Sequence, residues 1–463
     1  MTNYDAVVIG AGQAGAPLAM RLAGSGLKVA IVERASVGGT CVNTGCTPTK
    51  ALVASAYAAQ QMRRAAEYGI VSQSPVRADM RQVKARKDKI VADRREGLRT
   101  SLESTDNCTL LHAPGRFLSP HEVDVGGIVL RADRVFIDVG SRGVVPLIPG
   151  LQTVDYLDNE SILQLDILPR HLIVLGGSYI SLEFAQMYRR FGSEVTIVER
   201  ASRLISREDR DVSLAVQGIL EAEGIAVHLG ATATRAVQRD GTITLSIENG
   251  PDITGSHLLL AVGRRPNTDN LGLAAAGIEQ DDRGFIKVDD EVRTNVPDIW
   301  AMGDCNGRGA FTHTAYNDYE IVAANLLDND RRRVSERIQA YAIYIDPPLG
   351  RVGMTEAQAG ASGRQVLIGR RPMTQVARAI EKGETHGFIK VLVDAATRRF
   401  IGAAILGPGG DEVVHSILDL MAADAPYTVM QRAVHIHPTV SELLPTVLST
   451  LQPLDPEIAD SAP

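Results

Sequence analysis

The apolar positions of this chain fall into short blocks separated by glycine. Asp5-Ala6-Val7-Val8-Ile9 is one such block, and a short continuous apolar run fits a buried strand of a parallel sheet. An Ala/Leu-rich helical stretch follows, then a second strand over residues 28–32 that ends at Glu33. Helices are predicted over residues 51–68 and 80–104, the second dense in Arg, Lys, Asp and Glu as a solvated helix face is. Strands near 109–117 and 122–129 come next, and the run from Arg134 to Ser141 returns to the first sheet. Residues 146–150 mark a boundary, after which the pattern repeats. His171–Leu175 reads as a strand, a helix runs to Phe191, Glu194–Val198 is a second strand, and the run 258–267 closes the unit. Strand–helix–strand patterning that occurs twice predicts an α/β fold with two Rossmann-like dinucleotide-binding units.

Glycine marks the turns. Gly10-Ala11-Gly12-Gln13-Ala14-Gly15 follows the first strand directly and opens the first helix. Gly10 permits the tight turn, Gly12 lets the backbone approach a pyrophosphate, and Gly15 lets helix and strand pack closely. Glu33 stands about 20 residues on, where a carboxylate accepts ribose hydroxyls. In the second unit Gly176 and Gly177 are kept, while Ser178 and Ser181 stand where the second and third glycines belong. Serine is small, so close packing survives, but the backbone is less open to phosphate. Glu199 ends that unit's second strand, placed to accept the ribose hydroxyls of NADH and to repel a 2′-phosphate. Arg200 and Arg203 follow it, and arginines clamp such a phosphate. The balance is read as favouring NADH.

The reactive chemistry concentrates in Gly38-Gly39-Thr40-Cys41-Val42-Asn43-Thr44-Gly45-Cys46-Thr47-Pro48-Thr49-Lys50. A disulfide between Cys41 and Cys46 needs Cα atoms within about 7 Å, and a regular helix points side chains five residues apart away from each other. The segment is therefore expected to be irregular, with Asn43 and Gly45 permitting it. Thr47 reads as an N-cap and Pro48 as the first helical residue. That sets Cys46 against the positive end of a helix, where unsatisfied N–H groups favour a thiolate. The pair reads as one that opens and closes. A static disulfide or two unpaired thiols are the alternatives.

Composition narrows the class. A length of 463 residues corresponds to about three domains. The net charge of −7 leaves no basic surplus for a nucleic-acid partner. Four cysteines in so long a chain do not form a secreted disulfide scaffold, and Cys108 and Cys305 read as ordinary buried thiols. The N-terminus lacks the pattern of a signal peptide, and no apolar run reaches the roughly 18 residues of a membrane helix. The expectation is a cytoplasmic enzyme with no membrane partner.

Together these motifs resemble the class I flavoprotein disulfide reductases, the pyridine nucleotide-disulfide oxidoreductase family that includes glutathione reductase, dihydrolipoamide dehydrogenase and mercuric reductase. The resemblance runs essentially the full length of the chain. It implies an FAD-binding domain over 1–150 that returns over 271–340, an NAD(P)H-binding domain over 151–270, and a C-terminal α+β dimerisation domain over 341–463. Asp298-Ile299-Trp300-Ala301-Met302-Gly303-Asp304 resembles the family's second FAD signature. On this resemblance Gly39, Thr40, Gly115, Gly140, Ser141, Asp304 and Thr312 join the first glycine motif in holding FAD, and Gly263 joins Gly176 and Gly177 on the nicotinamide side. Phe311-Thr312-His313-Thr314 begins a helix aimed at the flavin, with His313 in a packing or hydrogen-bonding role. One departure stands out: the family usually carries Ala-Thr-Gly where this chain reads Asp138-Val139-Gly140, so no role of that threonine carries over.

The resemblance also implies the roles. Cys46 is the thiol beside the flavin and Cys41 the thiol that exchanges with substrate. Lys50 pairs with Glu183 beside the flavin, and Tyr179 gates the nicotinamide. Val434-His435-Ile436-His437-Pro438-Thr439-Val440-Ser441-Glu442 resembles the family's C-terminal histidine motif. His437, oriented by Glu442, would act as acid–base catalyst across a homodimer, while His435 is structural. The wording around the cysteines is nearest that of mercuric reductases. However, no metal-binding segment precedes the first glycine motif, residues 454–463 hold no cysteine, and His437 is present. The expected substrate is therefore a low-molecular-weight disulfide, with no metal site. Metal-ion reduction, dihydrolipoamide oxidation and a redox sensor that binds FAD and NAD(P)H without rapid turnover are the alternatives.

Overall fold

The structure, a computed structural model, describes residues 2–71 and 74–455. Its first sheet grows from the apolar run at the N-terminus. Strand β1 (Thr2–Ile9) runs into the glycine turn and helix α1 (Gly15–Gly24), and β2 (Val29–Glu33) returns parallel to β1 with Ile9 beside Val32. A short helix α2 (Gly39–Asn43) and the long helix α3 (Cys46–Arg63) carry the cysteine motif. Helix α4 (Met80–Glu103) is capped by Asp79, whose carboxylate accepts the N–H groups of Arg81 and Gln82. The strands that follow are shorter than expected. Two pieces, β3 (Cys108–His112) and β4 (Gly115–Ser119), replace the single strand read near 109–117, because Pro114 has no N–H to continue a ladder. Likewise β5 (Glu122–Val125) turns through Gly126 and Gly127, both at positive φ, into β6 (Ile128–Ile137).

The resulting sheet runs β3-β2-β1-β6-β5-β4, parallel through β6 and antiparallel in the two outer hairpin strands. A late strand, Ile299–Ala301, pairs parallel with β6. The chain thus leaves this sheet, builds a second unit, and comes back to finish the first.

The second unit repeats the topology with β7 (His171–Leu175), α5 (Tyr179–Phe191) and β8 (Glu194–Val198) in a five-stranded parallel sheet closed by β9 (His257–Leu260). The strand interiors are fully buried, which is why their sequences are continuously apolar. The C-terminal portion is a six-stranded antiparallel sheet flanked by helices, with Phe388–Asp394 and Phe400–Leu406 buried along their whole length. No helix among the described residues is long and apolar enough to cross a membrane.

Candidate active site

The cysteine motif differs in one respect from its reading. Helix α3 starts at Cys46, with Gly45 as its N-cap, so Thr47 is already helical and caps nothing. Proline is tolerated within a first turn, where its missing N–H has no partner to lose, and this lets the helix begin two residues ahead of Pro48. Cys46 therefore occupies the first helical position itself. The irregularity that brings the cysteines together is confined to Thr44 and Gly45, where a Cβ on Gly45 would lie 2.8 Å from the Thr40 carbonyl oxygen.

Both cysteines are thiols in this structure. A hydrogen bond from Cys41 brings the Cys46 thiol down to about 6, with the Thr312 hydroxyl and the charge of Lys50 acting in the same direction and burial and Glu183 opposing them. The same bond and burial push Cys41 well above the usual thiol range. The Thr312 hydroxyl lies 3.3 Å from Cys46 Sγ and begins the helix Thr312–Ala323, as expected of that segment. One turn along α3, Lys50 Nζ donates to Glu183 Oε2 at 2.6 Å, and it sits 4.5 Å from the centre of the Tyr344 ring. Glu183 Oε1 accepts the N–H of Tyr344 at 3.0 Å.

These groups line one cavity of about 1450 Å³. Its far end is the first glycine turn. A Cβ on Gly10 would strike the Asp138 carbonyl at 2.1 Å, and one on Gly15 the Gly10 carbonyl at 2.1 Å, so both glycines are obligatory. Glu33 lines the cavity with its carboxylate held by the N–H groups of Ala11 at 3.0 Å and Ala35 at 2.8 Å. Gly12, Gly39, Thr40, Gly115, Gly140, Ser141 and Asp304 line it as well. Asp304 accepts the Ser141 hydroxyl at 2.6 Å, and Arg264 donates to the same hydroxyl at 2.8 Å and to the Ser141 carbonyl at 2.7 Å. The Cβ-free turn at a helix N-terminus and the carboxylate of Glu33 fit FAD, for which Glu33 would hold the adenosine ribose and Gly12 would face the pyrophosphate.

Arg264 and Asp138 are site residues that the sequence reading left without a role. Each owes its place to contacts more than a hundred residues away in sequence. The stacking that joins Tyr179, Phe311 and His313 to Tyr341 is a third feature not read from the sequence. Tyr179 packs on Phe311 with ring centres 5.6 Å apart, and Phe311 stacks on Tyr341 at 5.5 Å and on His313 at 5.4 Å. His313 hydrogen-bonds the Ala340 carbonyl at 2.7 Å, and burial holds its pKa down.

The second glycine turn lies apart from that cavity, joined to it by Tyr179, Ile180 and Arg264. Gly176 has φ +116, and a Cβ there would lie 2.4 Å from the Ala261 carbonyl and 3.2 Å from Ser181 Oγ. Ser181 is fully buried and its hydroxyl has no hydrogen-bond partner. Gly177 packs against Glu199 and Leu204, Glu199 accepts the Ala201 N–H at 2.7 Å, and Gly263 has φ +130. Arg200 is exposed, whereas Arg203 donates to the Ser206 carbonyl at 2.9 Å within its own loop.

His437 and Glu442 do not line the cavity of their own chain. Glu442 accepts from His437 Nδ1 at 2.9 Å, leaving the ring 74% exposed, with Val434 and Ile436 exposed beside it. His435 contacts the Met430 carbonyl at 3.3 Å. Cys305 is fully buried as expected, but Cys108 is only half-buried, on the outermost strand of the first sheet. Among the described residues, one group of carboxylates could hold a metal ion: Asp209, Asp211 and Glu356. The ammonium of Lys390 fills it, donating to Asp209 at 2.6 Å, to Asp211 at 2.9 Å and to Glu356.

Residues 4–318 match the family model described as pyridine nucleotide-disulphide oxidoreductase, and residues 339–448 match that family's dimerisation domain. The probable pyridine nucleotide-disulfide oxidoreductase RclA of Escherichia coli K12 is 35% identical over 460 residues, covering 98% of this chain and 100% of that one. A mercuric reductase of Streptomyces lividans is 33% identical over 458 residues, covering 97% and 96%. The solved structure of a Cu(II) complex of the HOCl-induced flavoprotein disulfide reductase RclA from Escherichia coli matches with a TM-score of 0.89 at 35% identity, covering 97% of this chain and 99% of that one.

Proposed function

The chain belongs to the pyridine nucleotide-disulphide oxidoreductase family, flavin-dependent enzymes that use NAD(P)H, and on that premise we propose that it reduces a low-molecular-weight disulfide through Cys41 and Cys46. The observation that carries this reading is the split between the two thiols. Cys46 is the stable thiolate at the helix end, and Cys41 is the neutral thiol that needs a base to attack.

FAD held in this cavity would supply two-electron transfer from NAD(P)H to the Cys41–Cys46 disulfide. Lys50, held by Glu183, keeps a positive charge at the ring end of the cavity and favours the Cys46 thiolate. Tyr179, packed on Phe311, closes the nicotinamide side and moves aside for it. His437 of the partner subunit removes the Cys41 proton. The Cys41 thiolate then attacks one substrate sulfur, the S–S bond breaks, and the leaving thiolate takes the proton from the imidazolium. Cys46 attacks the Cys41 sulfur of the mixed disulfide, the second thiol leaves and takes a proton from solvent, and the Cys41–Cys46 bond closes. A homodimer supplies that histidine, and the exposed Val434 and Ile436 beside it suit a buried contact between subunits.

NADH is the favoured cofactor, because Arg203 is committed to its own loop and leaves Arg200 alone to oppose Glu199. A second reading, metal-ion reduction at the same thiols, is favoured by the Cu(II) complex of the Escherichia coli relative. Steady-state NADH oxidation with small disulfides, Cu(II), Hg(II), quinones and oxygen separates the two. Turnover with a disulfide that falls about 10²–10⁴-fold in His437→Ala supports the first reading. Turnover with a metal ion alone refutes it.

A further inference from the structure

Asp138 is a buried carboxyl that the chemistry above leaves unused. It follows β6 at the floor of the FAD cavity, which it helps to line. Its Oδ2 accepts the N–H of Gly15 at 2.7 Å and of Ala14 at 3.3 Å, the amides that open α1. A Cβ on Gly12 would lie 2.7 Å from the same oxygen, and one on Gly303 would lie 3.0 Å from Oδ1. One carboxyl therefore touches both the first glycine turn and the second FAD signature.

That helix end is where a dinucleotide's pyrophosphate sits, because free amides and the helix dipole favour an anion there. An ionised Asp138 would already satisfy that potential, and a second anion beside it would be repelled. Among the described residues, no free cation faces it. Asp304 and Asp318 are carboxylates, Cys305 is a thiol, and Glu33 is held by the amides of Ala11 and Ala35. Arg337 is engaged with Asp318, and Arg264 with Ser141. Burial pushes Asp138 up to about 8, the two amide bonds pull it down, and Asp304 and Asp318 add to the rise. The family this chain resembles usually carries alanine here, so the carboxyl is a feature of this chain rather than a requirement of the turn.

We propose that Asp138 is an FAD-positioning residue that works in its neutral form, so that in alkaline solution the protein takes up one proton with the flavin and holds the flavin less tightly. A neutral carboxyl still accepts the Gly15 and Ala14 N–H groups but adds no negative charge beside the pyrophosphate. This rests on the reading that the cavity binds FAD.

The sign follows from linkage. Flavin raises the carboxyl's proton affinity, so the dissociation constant is flat below about pH 8 and rises by up to tenfold per pH unit above it. The test dilutes holoenzyme at pH values from about 6 to 9.5 and reads free FAD by its fluorescence. Wild type should show the rise. Asp138→Asn, which keeps the acceptor, should be flat, and so should Asp138→Ala, which serves if the asparagine variant does not fold. A flat wild-type curve, or the same rise in either variant, overturns the proposal. Protein that carries no FAD at any pH refutes instead the reading on which it rests.

Discussion

Lys50 Nζ lies 2.6 Å from Glu183 Oε2, and this bridge ties the helix that begins at Cys46 to the first helix of the second dinucleotide-binding unit. Glu183 is 3% exposed, so its charge is tolerated because Lys50 and the Tyr344 N–H meet it. Lys50→Met should lower stability by about 1–3 kcal/mol, the cost of leaving a buried polar group unmatched. It should also raise the Cys46 pKa. Urea unfolding of the variant checks the first effect, and an unchanged midpoint contradicts it.

The thiol pair makes a pH prediction of its own. Cys41→Ser keeps a hydroxyl donor beside Cys46, so Cys46 should still titrate near 6. Its thiolate should be present above that pH and lost below it. The ultraviolet difference between Cys41→Ser and the Cys41→Ser/Cys46→Ser double variant reports the thiolate directly. A midpoint at the ordinary thiol value, about 8.5, would show that the donor at position 41, the Thr312 hydroxyl and Lys50 do not hold Cys46 down.

What the sequence made legible was local. The glycine turn with Glu33 about 20 residues on and the cysteine spacing are read within a short window, and the helix opening at Thr312, which the resemblance implied, stands where it was expected. Contacts between distant segments were not legible. Nothing near Arg264 in sequence announces Ser141, and nothing near Lys390 announces Asp209. The start of α3 was misplaced for a local reason. Thr47 and Pro48 spell a cap and a first helical residue, yet the glycine at 45 leaves the helix free to start one residue after it, at Cys46. Ser181 could be counted as small from its type, but its lack of any hydrogen-bond partner depends on what Gly176 and Ala261 pack around it.

Lys390 is fully buried among Asp209, Asp211 and Glu356, and Arg351 also donates to Asp209 at 3.1 Å. The cluster joins the loop before the helix Arg210–Ala222 to the C-terminal sheet. Lys390→Met would leave three carboxylates facing one another and should destabilise the protein by about 3–5 kcal/mol. A loss below about 1 kcal/mol in chemical denaturation would mean that the carboxylates find water or protons instead.

Cofactor choice turns on Glu199. Wild type should show a higher kcat/KM with NADH than with NADPH, and Glu199→Ala should narrow that gap by about tenfold, the scale of one charged contact. A wild-type preference for NADPH that collapses in Arg200→Ala would instead assign specificity to the arginine.

The central claim is that electrons leave this protein through Cys41 to a small disulfide. It is tested most directly by counting the thiols formed per NADH consumed, under anaerobic conditions, in wild type and Cys41→Ser. The account predicts two thiols per NADH in wild type, and a rate at least about 10³-fold lower in Cys41→Ser, because the thiol that bonds to substrate is gone. NADH oxidation without thiol release, or an equal thiol yield from Cys41→Ser at an equal rate, would contradict it.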